Sequence, residues 1–236
     1  MGIEPPLLVE LLGQPGAGKT TLGHAAAVGS DFRSTADLGA AWRRLPAIRK
    51  AMFLASSAFD GVCLTHAMRL VIGAPLLRGD SLGRLARLLV KSHWIRSQRG
   101  QLLLEEGFLQ DLWSIFYSAG RMDPDPRLLA PLVRCLYRGV DAQIVFLQVD
   151  TQTTLDRIRG RTQGKSRLDR LAEADLRKRL AETSQLPLRI AAAARLAGLT
   201  VETIDASQPV EISVSQLRSI MPSLAATVVR PEEGGG

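Results

Sequence analysis

The sequence predicts an α/β fold in three layers, a mostly parallel five-stranded sheet between two sets of helices. Three observations carry this. A glycine-rich loop at residues 13–20 lies between an apolar run and a stretch that reads as the start of a helix. Apolar runs recur near residues 101–105, 144–149 and 199–204, each followed by helical spacing. Strands that alternate with helices form a parallel sheet covered on both faces.

The elements follow in order. Leu7, Leu8, Val9, Leu11 and Leu12 read as a strand buried on both faces. A helix is expected over about 19–28 and a short strand near 28–33. Residues 30–100 then show helical spacing at 40–54, 62–72 and 82–89, punctuated by Pro46, Pro75 and glycines. After the strand at 101–105 comes a helix through Leu109, Leu112, Trp113 and Phe116. Asp123-Pro124-Asp125-Pro126 breaks the chain before a helix over about 127–138. The strand at 144–149 leads to a helix capped by Asp150 or Thr151. Two further helices, broken at Pro187, lead to the strand at 199–204 and a last helix over about 210–221. The expected domain is residues 1–225, followed by a disordered tail at 226–236.

Composition narrows the class. At 236 residues and 46% hydrophobic, the chain suits one globular domain with a sizeable core. No segment reaches about 18 uninterrupted apolar residues, so no membrane span is expected. The N-terminus lacks a basic segment ahead of its apolar run, so no signal peptide is expected. Cys63 and Cys135 are the only cysteines and read as buried free thiols of a reducing, cytoplasmic setting. The net charge of +7 is spread along helices, with few aromatics among the arginines, so a nucleic-acid partner is not expected.

The loop Gly13-Gln14-Pro15-Gly16-Ala17-Gly18-Lys19-Thr20 matches G-x-x-x-x-G-K-[ST] in full. Its glycines let backbone N–H groups turn toward an anion, and the helix N-terminus adds its positive end. Lys19 is expected on the β- and γ-phosphates of ATP and Thr20 on Mg²⁺, with Thr21 completing the cradle. Three more stretches fall at the carboxyl ends of strands, where parallel sheets bind ligands. In "LLLEEGFLQ" (102–110) a carboxylate stands ready to hold Mg²⁺ or accept a hydroxyl proton, and strand alternation turns one of Glu105 and Glu106 toward the site. In "LDRIRGRTQGKSRLDR" (155–170), Arg157 and Arg161 share a helix face, and Arg159, Lys165 and Arg167 extend the charge. Such a lid, over 157–170, excludes water, which matters to a kinase because water is the competing acceptor. "IDASQPVE" (204–211) is placed to border the base.

Together, "GQPGAGKTTL", "LLLEEG", "VFLQVDTQTTLDRIRGRTQGKSRLD" and "TIDASQPVE" resemble the thymidylate kinase and nucleoside kinase group of P-loop kinases. The resemblance covers roughly residues 7–30, 100–115 and 141–212. It implies a P-loop NTPase fold and transfer of the ATP γ-phosphate to a small-molecule acceptor, and a homodimer is compatible with it. It further implies that Arg157 stacks on the base, Arg161 and Arg167 reach the phosphates, and Glu105 ends the third strand beside metal and acceptor. Ser207, Gln208 and Pro209 would lie against adenine. Two departures concern the acceptor. Glu106 stands where an arginine commonly follows the acidic residue, and residues 30–100 show no acceptor motif; Arg43, Arg44, Arg69 and Arg96 are the candidate compensating cations. The alternative is a P-loop ATPase switch with a protein partner. His24, His66 and His93 have no ligand spacing, Trp42, Trp94 and Trp113 read as packing, and Ser114 lacks a partner base.

Overall fold

The structure, a computed structural model, describes residues 5–74, 76, 80–160 and 171–221. Five strands, β1 (Leu7–Gly13), β2 (Arg33–Ser34), β3 (Gln101–Leu104), β4 (Asp141–Gln148) and β5 (Thr200–Asp205), form one sheet in the order β2-β3-β1-β4-β5. Every pairing is parallel, so the sheet is parallel throughout rather than mostly so. β4 begins before its apolar run because Asp141, Ala142 and Gln143 pair with Leu7, Leu8 and Val9.

Side-chain alternation divides the core into two layers. Leu8 and Leu12 of β1, Leu102 and Leu104 of β3, and Ile144 and Phe146 of β4 face one layer. There they meet α2 (Thr35–Arg44), α4 (Gly61–Gly73), α5 (Ser81–Arg96), α6 (Phe108–Ser118), α7 (Pro126–Leu136) and α10 (Gln185–Leu196). Val9, Leu11, Leu103, Val145 and Leu147 face the other layer, against α1 (Lys19–Ala27) and α11 (Val210–Ile220). A third, small cluster joins Leu155 and Ile158 of α8 (Thr151–Arg159) to Leu176 and Leu180 of α9 (Glu173–Thr183).

The 30–100 region holds α2, α3 (Ala47–Phe59), α4 and α5, with β2 only two residues long. Ser34 opens α2 with a capping box, exchanging bonds with Asp37. The break between α9 and α10 falls at Ser184, not at Pro187. Pro187 lies in the first turn of α10, where a missing N–H breaks no intrahelical bond. The tail expected at 226–236 lies outside the described residues.

Cys63 and Cys135 are joined as a disulfide, not free. The packing of α4 on α7 brings their Cα atoms to 5.6 Å across 72 positions of sequence, a proximity that spacing does not reveal. Beside it, Asp60 caps α4 by accepting from the Cys63 N–H and also accepts from Arg96 and Arg138. Burial works to raise the Asp60 carboxyl, but the Cys63 N–H and the guanidiniums of Arg138 and Arg96 hold it below its ordinary value.

Candidate active site

β1 delivers the chain to the phosphate loop at the carboxyl edge of the sheet, between β3 and β4. Gly16 and Gly18 take φ of 90° and 88°, left-handed values that fold the loop back on itself and that side chains disfavour. Lys19 Nζ donates to the Gly13 and Gln14 carbonyls at 2.8 and 3.0 Å, so the ammonium is held over the loop. Thr20 and Thr21 are exposed on the first turn of α1.

The choice between the two glutamates follows from strand parity. Leu102 and Leu104 point to one layer and Leu103 to the other, so Glu105 turns to the α1 layer. Its side chain packs on Gly23, one turn beyond Lys19, where a Cβ would lie 2.5 Å from Glu105 Cγ. Glu105 is 5% exposed, and its buried Oε1 has no hydrogen-bond partner among the described residues. Glu106 is exposed, and its carbonyl accepts from Lys91 at 2.6 Å. An orphaned carboxylate oxygen on the Lys19 helix fits a shared role with Thr20 toward Mg²⁺ or an acceptor hydroxyl.

A cavity of about 310 Å³ adjoins the loop, lined by Gly16, Gly18, Thr21, Arg157, Ala206 and Gln208 among others. Arg157 spans it, donating to the Ala17 carbonyl at 3.4 Å and the Ala206 carbonyl at 2.7 Å. α8 is aimed here by its cap: Asp150 accepts from the Thr153 hydroxyl and N–H, which lower its carboxyl to about 2. Ser207 is turned to Asp150 rather than to the cavity, and Pro209 sits at the start of α11. Of the expected adenine-side residues, Gln208 therefore lines the pocket. Arg161 and Arg167 lie outside the described residues.

A second cavity, of about 490 Å³, opens between α2, α3 and α5. Trp42 and Trp94 meet edge to face in its wall, their rings 5.2 Å apart. Arg84, Arg87 and Lys91 line it from one side of α5, with Asp111 and Ser114 of α6 beside them. Arg84 donates to Ser114 at 3.0 Å, and Lys91 pairs with Asp111 at 2.8 Å. The cations expected on this side are placed otherwise: Arg96 serves Asp60, and Arg43, Arg44 and Arg69 are exposed. Thr35 links the cavity to the carboxylate, its hydroxyl accepting from the Glu105 N–H at 2.9 Å.

Sequence reasoning passed over Glu10. It lies mid-strand in β1, fully buried, and accepts from the N–H groups of Phe108, Leu109 and Gln110 and from the Tyr137 hydroxyl. Burial pushes its carboxyl up, against the pull of Tyr137, Lys91 and the α6 N–H groups. The carboxylate thus pins the start of α6, directly after the Glu105–Gly107 turn. A lone acid within a buried apolar strand was the clue available.

No protein-family model and no curated protein sequence matches the chain. Solved structures do. A deoxyadenosine kinase from M. mycoides with bound dATP aligns at TM-score 0.48 and 13% identity, over 92% of this chain and 100% of that one. A shikimate kinase from Bacteroides thetaiotaomicron aligns at TM-score 0.47 and 17% identity, over 91% and 97%.

Proposed function

We propose that the chain is an ATP-dependent phosphotransferase, passing the ATP γ-phosphate to a small molecule held in the 490 Å³ cavity. One observation carries this reading. Glu105 stands between the two compartments, its side chain against the phosphate-loop helix and its N–H on Thr35 of the second cavity.

Residues Gly13 to Thr21 hold the triphosphate through backbone N–H groups and the N-terminus of α1. Lys19 exchanges its carbonyl partners for the β- and γ-phosphates. Thr20 and Glu105 are the residues that would hold Mg²⁺, which when bound neutralises phosphate charge. Glu105 Oε1 would take the acceptor's hydroxyl proton. Arg157 and Gln208 border the base, and Arg161 and Arg167 complete a lid that excludes water.

A thymidylate kinase-like or nucleoside kinase-like enzyme is the finer form of this reading. It is supported by Arg157, which joins the phosphate loop to the 206–208 loop. The tryptophan wall suits a flat ring, and Arg84, Lys91 and Asp111 suit its polar edges.

ADP release from ATP and Mg²⁺ across nucleosides, nucleotides, sugars and other alcohols tests the proposal. Turnover that rises sharply with one acceptor is expected. Turnover indifferent to every small molecule, yet stimulated by a protein, would replace it with the switch reading.

A further inference from the structure

Two consecutive helices on the acceptor side turn apolar side chains to solvent. Ile48, Met52 and Phe59 of α3 are 69%, 60% and 88% exposed, and Ile72 of α4 is 75% exposed. The spacing 48, 52, 59 places the first three on one stripe of α3, opposite Ser57, its one buried residue. Leu64 and Met68 precede Ile72 at four-residue spacing and are also exposed, so α4 carries a stripe of its own. Single exposed apolar residues are ordinary, but stripes on successive helices mark a binding face.

Charge decides what covers it. Residues 38–79 contain six Arg and Lys and one acid, Asp60. Asp60 is occupied by Arg96 and Arg138, whereas Arg43, Arg44, Arg49 and Arg69 are exposed. A second copy seated here would bring one net-positive segment against another, with no free carboxylate on either to pair with the guanidiniums. An anionic bilayer complements both features, taking apolar side chains at headgroup depth and cations at its phosphates. The shape agrees. α3 is exposed on several flanks, Leu54 as well as the Ile48 stripe, which suits immersion in an interface better than one flat protein contact.

We propose that α3 and α4 dock this protein on an anionic lipid bilayer. Ile48, Met52 and Phe59 insert, while Arg43, Arg44 and Arg49 bind lipid phosphates. Leu54, which lines the 490 Å³ cavity, then brings that cavity close to the membrane surface. The docking does not depend on the kinase reading.

Sedimentation of the full chain with vesicles tests it, comparing phosphatidylcholine alone with a mixture containing about one-third phosphatidylglycerol. Binding to the mixed vesicles is expected, at least about tenfold weaker to the neutral ones and weakened by salt. Met52→Asp with Phe59→Asp, and separately Arg44→Gln with Arg49→Gln, should each lower the partition about tenfold or more. An unchanged thermal midpoint and nucleotide affinity show that these variants are folded. Absence of partitioning, equal binding to neutral vesicles, or binding unaltered in both variants overturns the proposal. So does a dimer in light scattering that Phe59→Asp dissolves while vesicles bind nothing.

Discussion

Glu105 and Gly23 touch so closely that any side chain at position 23 would occupy the space of the glutamate, its Cβ 2.5 Å from Glu105 Cγ. Gly23→Ala should therefore displace the carboxylate without altering the loop at 13–20. The expected result is a fall in turnover of about tenfold to a hundredfold, with ATP affinity within about threefold of the parent. Equilibrium nucleotide binding beside steady-state rates checks the split.

The two adjacent acids should behave differently. Glu105→Gln should keep nucleotide binding and lose about a hundredfold or more in turnover. Glu106→Gln, on an exposed side chain whose carbonyl is what Lys91 uses, should stay within about threefold. The reverse pattern would assign the opposite strand face to the site.

Lys19→Ala should abolish transfer while leaving the thermal midpoint close to that of the parent. It is half-buried and donates to two carbonyls of its own loop, a local exchange whose loss costs the fold little beside the loss of the triphosphate's countercharge. Loss of ATP binding with a preserved circular dichroism spectrum is the measurement.

The disulfide closes a loop of 72 residues, so its reduction should cost about 4 kcal/mol of stability. Denaturant midpoints with and without a dithiol reductant give the number. Cys63→Ser with Cys135→Ser should match the reduced protein and be indifferent to reductant.

Asp60 sets a pH dependence of known sign. Its folded carboxyl titrates below the ordinary value of 3.8, so the stability it contributes is present above about pH 4 and lost as pH falls through the lowered value. Asp60→Asn should be less stable near neutrality and should flatten this acid limb in a series of melts.

Much of this was open to inspection in the chain itself. The phosphate loop and the strands at β1, β3 and β4 are legible because buried parallel strands are long apolar runs. A strand-end acid was legible at 105–106, but which of the two turns to the α1 layer was not; the observed layers of Leu102, Leu103 and Leu104 separate them. The second cavity was not legible. Arg84, Arg87 and Lys91 have the spacing of an ordinary solvated helix face, and only the placement of α2 and α3 turns that face into a wall. Trp42 and Trp94 read as packing for the same reason, since packing against each other is part of what they do. β2, with two residues, falls below the length at which alternation can be seen. The cysteine pair was hidden by the sequence distance between α4 and α7.

The helix α5 serves at both ends. Arg84 and Lys91 face the second cavity, while His93 and Arg96 lie against Asp60. A substitution there disturbs two places at once. α3 buries Ser57 alone and meets the cavity through Leu54, on a flank apart from the Ile48 stripe, so a change at Leu54 leaves both Asp60 and that stripe in place. Descendants of this chain that come to prefer a different compound should therefore record the change in α3, while α5 stays nearly constant across the lineage.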